Sequence, residues 1–266
     1  MDFTIKKYTE LLTVLIEKGF SFQTFAEYLK NPKNKVIILR HDVDLLPQNS
    51  LEFAKIQTEM GVKGVYYFRA VPESWDDDII KAISNLGHEV GYHYENMDSC
   101  NGNQAKAFDD FKFNLDKLRE LVDVKTICMH GSPLSKYDNK DLWSKYNYRK
   151  LGIIGEPYYD VNFDEVFYLT DTGRRCDGWK VSIRDKVPQQ KEWYKQGKVY
   201  HTTNEIILAA KNNQLSDKIM FTMHPERWNH GGFLWLKVLL MQKIKNQIKK
   251  IVLIIRKNNQ LFNAKN

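Results

Sequence analysis

Cysteine is scarce in this chain: Cys100, Cys128 and Cys176 are the only three among 266 residues, and none stands in a CxxC pair. An odd, widely spaced set argues against a disulfide framework or a zinc ribbon and points to reduced thiols in a cytosol. Long apolar runs are missing too. No stretch of about eighteen apolar residues occurs, so no membrane span is expected. The opening MDFTIKKYTELL has an acid at position 2 and returns to polar residues before a signal-peptide core builds up. No secretory leader is therefore expected, and the cytoplasm is the expected setting. The third absence is local. After Glu226 there is no Asp or Glu, whereas Arg227, Lys237, Lys243, Lys245, Lys249, Lys250, Arg256, Lys257 and Lys265 contribute nine positive charges. The net charge of +7 thus belongs to the C-terminal end, leaving 31 basic against 33 acidic residues, or −2, in the first 226. That balance argues against a nucleic-acid-binding face on the main body, and no nucleic acid partner is expected.

What is present suits one large α/β domain. Apolar residues make up 42% and aromatics 13%, enough for a real core, and the charged share of 27% is ordinary for a soluble protein. The stretch that organises the rest is KVIILRHDVD at 35–44. Val36 to Leu39 form an unbroken aliphatic run, expected as a strand buried on both faces. Arg40, His41, Asp42 and Asp44 follow without a spacer, at the carboxyl end where α/β folds bind ligands. Asp42 and Asp44 are two apart, so on an extended backbone they share a side. Two carboxylates in one small space become tolerable around a cation or a shared proton, although an acidic pair at a strand end also serves as a helix cap.

Along the chain, Tyr8 to Ile16 recur at helical spacing and Gly19 closes that helix; a second helix is expected from Phe22 to Leu29. Pro47 opens a helix burying Leu51, Ala54, Ile56 and Met60. Val65–Phe68 is the second strand, and Ser74 is the candidate cap of a helix whose Asp76, Asp77 and Asp78 sit where the dipole favours acids. HEVGYH at 88–93 is the third strand, followed by a long amphipathic helix through Leu121. Thr126–Met129, Gly152–Gly155, Val166–Leu169 and Ile219–Thr222 complete the strands. The segment 171–197 loses periodicity and is expected as a long functional loop. A single domain with alternating strands and helices follows. It divides into an N-terminal helical cover at 1–33, a barrel at 34–230 and a basic amphipathic helix and tail at 231–266.

Four apolar strands end abruptly in ionisable residues: Asp42 and Asp44, His93, His130, and His224. A lone strand-end His is more often a hydrogen-bonded scaffold group than a ligand, but in a parallel barrel these four ends converge on one face. HDVD at 41–44, GHEVGYH at 87–93 and FTMHPERW at 221–228 resemble the motifs of the polysaccharide deacetylases of carbohydrate esterase family 4, which share the NodB homology domain. The similarity runs from about Lys35 to Trp228. HGSP at 130–133, GEPY at 155–158 and TDTGR at 170–174 look closest to a cytosolic branch found in bacterial surface-polysaccharide clusters.

The resemblance implies a distorted (β/α)7 barrel, a divalent metal with zinc before others, and hydrolysis of a linear amide C–N bond on an N-acylated amino sugar. The sugar would be a nucleotide- or lipid-linked intermediate of O-antigen or capsule assembly. Carried over residue by residue, Asp42 is the general base and His224 the general acid, while Asp44 and His93 are metal ligands. The family's usual second His falls on Met97, a soft thioether unsuited to a hard cation. His130 is therefore expected to complete the ligand set, with Glu95 as the alternative. The family's Arg-Pro-Pro segment, whose Arg holds the base, is missing, and Arg69 or Arg184 is expected to substitute. Asp171, Arg174, Asp177 and Trp179, with Arg69, are expected to face substrate. His88 is expected to be structural.

Two other readings stand beside this one: a catalytically silent barrel that binds a sugar or partner, and an amidase acting on a non-sugar bond. In the tail, apolar residues recur at Val238, Met241, Ile244, Ile248, Ile251 and Ile255 among lysines. Its first half is expected to pack on the barrel and its second half to meet the inner leaflet of an anionic membrane.

Overall fold

The computed structural model describes residues 1–132, 135–177 and 186–263. In chain order it comprises α1 (Ile5–Glu17), β1 (Ser21–Phe22), α2 (Phe25–Lys30), β2 (Val36–Val43), α3 (Pro47–Glu59), β3 (Val65–Phe68) and α4 (Asp77–Asn85). There follow β4 (Glu89–Tyr94), α5 (Asn96–Ser99), α6 (Gln104–Arg119), β5 (Val124–Met129), α7 (Pro157–Asp160) and β6 (Phe167–Thr170). The last elements are α8 (Gln190–Lys195), α9 (Thr203–Lys211), β7 (Lys218–Met223) and α10 (Gly232–Asn263).

All seven strands pair in parallel, in the order β5-β4-β3-β2-β7-β6, with β1 paired to the start of β2. The sheet curls without closing, which makes it a distorted (β/α)7 barrel. β2 is its axis. Its first half pairs with β1 at Val36 and Ile37, its second half with β3 from Arg40 to Val43, and its other edge with β7. Every residue of β2 is buried, as the aliphatic run requires.

Strand parity divides the core in two. Ile37, Leu39, Val43, Tyr66, Phe68, Tyr92, Ile127, Leu169 and Phe221 join the helices in one cluster. Val36, Ile38, Val65, Tyr67, Cys128, Tyr168 and Met220 form the other, with Phe25 and Tyr28 of α2 and the 161–166 segment. Side chains alternate across a strand, so Arg40 and Asp42 continue the inner set while His41 joins the outer one. Gly91 also falls on the inner side, where a Cβ would come within 2.4 Å of the Tyr67 ring and 2.6 Å of Thr126 O.

Several sequence expectations shift. The second helix begins at Phe25, because Thr24 and Glu27 form a capping box and Ser21 and Phe22 pair with β2 instead. Asp76, and not Ser74, caps α4, accepting from Asp78 N and Ile79 N; Ser74 is taken up by Val43 O and Arg69 N. The Gly152–Gly155 strand reduces to a bridge between Thr126 and Gly155. The buried face of α3 holds Ser50, Phe53, Ala54 and Gln57, while Leu51, Ile56 and Met60 are only half-buried. Gln57 earns its place by bonding Tyr8, Tyr66 and His41. The region at 171–197 contains α8, and Trp179 and Arg184 lie outside the described residues. The N-terminal cover belongs to the main core, with Tyr8, Leu11, Leu12 and Leu15 of α1 buried in it. Finally, the first half of α10 packs on the body along one side only, with Trp235, Val238 and Leu239 half-buried while Phe233, Leu236 and Leu240 are exposed.

Candidate active site

Parity and register bring four strand ends to one hollow. Asp42 and Asp44 come from β2 and the residue after it, His93 from β4, His130 from just past β5, and His224 from just past β7. Asp44 is the hub. Its Oδ1 lies 3.6 Å from Nε2 of both His93 and His130, and its Oδ2 lies 3.8 Å from Nε2 of His224. His93 Nε2 is also 3.7 Å from Asp42 Oδ2. The imidazoles at 93 and 224 thus share one space with the carboxylate at 44.

The other nitrogen of each ring faces a scaffold oxygen, hydrogen-bonded at His93 and His224 and in close approach without a hydrogen bond at His130. His93 Nδ1 bonds Cys128 O at 3.0 Å, His130 Nδ1 lies 2.9 Å from Glu95 Oε2, and His224 Nδ1 meets Asp171 Oδ1 at 2.6 Å. Turning Nδ1 to the scaffold leaves Nε2 to face the hollow, the arrangement that orients histidines around a cation.

Asp42 is fully enclosed. Arg40, two residues earlier on the same strand face, grips it as a fork, Nε to Oδ1 at 2.8 Å and Nη2 to Oδ2 at 2.6 Å. The guanidinium in turn lies over the Tyr158 ring, 5.2 Å from its centroid. Burial works to raise the Asp42 pKa, but Arg40, His93 and His224 outweigh it, and the carboxyl ends below its ordinary value. The same contest at Asp44 is won by His130, His93 and His224, which hold it well below the carboxylate range. At His224, burial and Arg227 favour the neutral ring, yet Asp171 and Asp44 prevail and push it up to about 9. A cation on Asp44 would weaken that hub's share, leaving Asp171 to keep the imidazolium.

Several expected roles change. The Arg that holds Asp42 is Arg40; Arg69 instead forks Glu95 and donates to Asp44 O at 3.1 Å. Glu95 is occupied by Arg69 and lies beside His130 Nδ1, while His130 Nε2 faces Asp44. Met97 is buried in the outer core, away from this hollow. Asp171, expected to face substrate, is wholly buried. It accepts from His224 N, Arg227 Nη1 and Trp228 Nε1, each at 2.9 Å, besides holding the His224 ring. Arg174 points away, stacked between Phe3 and Trp235 at 4.7 and 5.1 Å. Asp177 is buried under Arg175 and His201. His88 bonds Ala54 O and Gly64 N as a scaffold group. Arg40 is conspicuous at the strand end in the sequence, but its role as the clamp on Asp42 was not expected, although its spacing of two places it on the same face.

The residues fit a divalent cation. Asp44 Oδ1 is buried with no hydrogen-bond partner among the described residues, and two imidazole nitrogens face it. Ligand bonds of about 2.0–2.2 Å in a tetrahedral zinc site set donor atoms roughly 3.4 Å apart, close to the 3.6 Å from Asp44 Oδ1 to each imidazole, but Asp44, His93 and His130 do not form a group whose donor atoms all lie within 4.8 Å of one another. Asp42, His93 and Cys128 do bring one donor atom each within 4.8 Å of one another. Both oxygens of Asp42 are already committed to Arg40, whereas Asp44 Oδ1 is unpartnered among the described residues, with one imidazole Nε2 at ligand spacing on either side.

No family model matches the chain, and no curated protein matches it. Solved structures do. A peptidoglycan deacetylase, PdaC, from Bacillus subtilis aligns at 12% identity over 88% of this chain and 98% of its own, with a TM-score of 0.42. A family 4 carbohydrate esterase from Bacillus anthracis aligns at 11% identity over 93% and 89%, TM-score 0.43. A CE4 family pseudoenzyme from Bacillus anthracis aligns at 13% over 82% and 63%, TM-score 0.40. At such scores the likeness adds nothing to the site's geometry.

Proposed function

We propose that this chain is a metal-dependent hydrolase that removes an N-acyl group, N-acetyl first, from an amino sugar. The observation that carries the reading is the convergence of Asp44 with the Nε2 atoms of His93, His130 and His224 beside an Arg-clamped Asp42. The motifs shared with the polysaccharide deacetylases supply the substrate class.

Asp44, His93 and His130 would hold the cation, zinc before others. When bound there it would act as a Lewis acid on the acyl carbonyl and lower the pKa of an adjacent water. Asp42, kept ionised and oriented by Arg40, accepts the proton of the attacking water. His224, protonated and fixed by Asp171, gives its proton to the departing amine as the C–N bond breaks. The new C–O bond comes from water, so the products are a carboxylic acid and a free amino sugar. A nucleotide- or lipid-linked intermediate of surface-polysaccharide assembly in the cytoplasm is the substrate this reading favours.

Metal analysis of the purified chain beside Asp44→Ala and His93→Ala tests the cradle: both variants should lose the ion. Retention in either would reassign the ligands. Acetate release from N-acetylated nucleotide sugars and lipid-linked saccharides tests the substrate. A wild type that holds metal yet releases nothing from sugars or simple amides would make it a binding barrel, and release from non-sugar amides alone would make it an amidase.

A further inference from the structure

Helix α10 leaves the body just after His224 and Trp228 and keeps one side against it. Trp235 donates from Nε1 to Asp2 O at 2.6 Å, and Asn246 donates from Nδ2 to Gly173 O at 2.9 Å. Val238, Leu239 and Gln242, between them, are half-buried on that same side. The opposite side carries Phe233, Leu236, Leu240, Ile244, Ile248 and Ile251, all exposed, Phe233 at 82%. At about 100° per residue these six fall in one stripe, an arc roughly 120° wide, which also takes in the exposed Lys237 and Gln247. Lys243 and Lys245, both exposed, stand at its two borders. Lys249, Lys250, Arg256 and Lys257 belong to the same helix, which contains no acid.

We propose that this stripe lies on an anionic phospholipid surface. The helix is not long and apolar enough, over its described residues, to cross a membrane, so it would rest in the interface plane. Charge decides between occupants. A second copy would bring one lysine-bordered stripe against another with no acid to answer it, whereas anionic headgroups supply the missing counter-charge. The tie to Gly173 lies two residues past Asp171, so the lipid-facing helix is anchored to the turn that holds His224. The surface contact stands apart from the proposed chemistry, and its failure would leave that chemistry untouched.

The test is co-sedimentation of the full chain with phosphatidylcholine vesicles containing about a third phosphatidylglycerol, beside vesicles of phosphatidylcholine alone. The wild type should pellet with the anionic vesicles. Binding should fall at least about tenfold with neutral vesicles, in the Leu240→Glu/Ile244→Glu double variant and in a Lys243→Glu/Lys245→Glu variant. All four positions are exposed, so circular dichroism and Tm should match the wild type. Equal pelleting of wild type and Leu240→Glu/Ile244→Glu would overturn the proposal. So would a lipid-independent dimer in sedimentation velocity that the same variant dissolves, since the stripe would then be covered by a second copy.

Discussion

At the scale of single residues, the Arg40–Asp42 pair is where burial and charge are most directly opposed. Removing one partner of an enclosed ion pair costs about 3–5 kcal/mol, because the other charge is stranded. Arg40→Met should therefore lower stability by that amount in urea unfolding, and Arg40→Lys should recover only part of it, having no fork to match both oxygens. If Asp42 is the base, Asp42→Asn should cut kcat by about 10²–10⁴ while the metal stays bound. Glu156 offers a pH test. Burial pushes its pKa up to about 7, although Met129 N and Tyr158 N donate to it and Arg40 and Lys140 pull the other way. In the unfolded chain an ordinary Glu sits near 4.3, so the folded state holds the proton more tightly. Its contribution is fully present below the unfolded value and is lost as pH rises through about 7, on the order of 3 kcal/mol. Wild-type stability should fall between about pH 4 and 7, and Glu156→Gln should flatten that fall; parallel curves would sink the assignment.

At the scale of elements, β4 depends on a residue without a side chain. Gly91→Ala would drive a methyl into the Tyr67 ring and Thr126 O, so β4 or β3 must shift. The expected result is a loss of about 1–3 kcal/mol by overpacking, together with weaker metal retention as His93 moves with its strand. A variant as stable and metal-loaded as the wild type would place the strands farther apart. What could be read in advance follows from locality. Strand ends were legible because apolar runs switch to ionisable residues in one step, and parity then placed Asp42, Asp44, His93, His130 and His224 together. The buried polar residues of α3 were not legible: Gln57 looks like a surface residue until Tyr8 and His41 arrive from other elements to use it. Asp171 misled for the same reason, since its partners His224 and Trp228 are 53 and 57 residues away.

At the scale of the whole molecule, charge and chemistry occupy different regions. The near-neutral first 226 residues build the barrel, and α10 carries a separate, uniformly basic load. The chain from 1 to 33, expected as a cover, shares one core with the barrel helices, because α1 buries an aromatic and three leucines in it and β1 joins the sheet. Within this frame β2 contributes the clamp, the carboxylate it holds and, one residue past its end, the hub carboxylate, all within five positions of one strand. Those three groups therefore travel as a rigid unit under any twist or breathing of the sheet, while the imidazoles, delivered by separate neighbours, move independently. Opening and closing of the hollow would be felt as histidines approaching or leaving a fixed acidic blade.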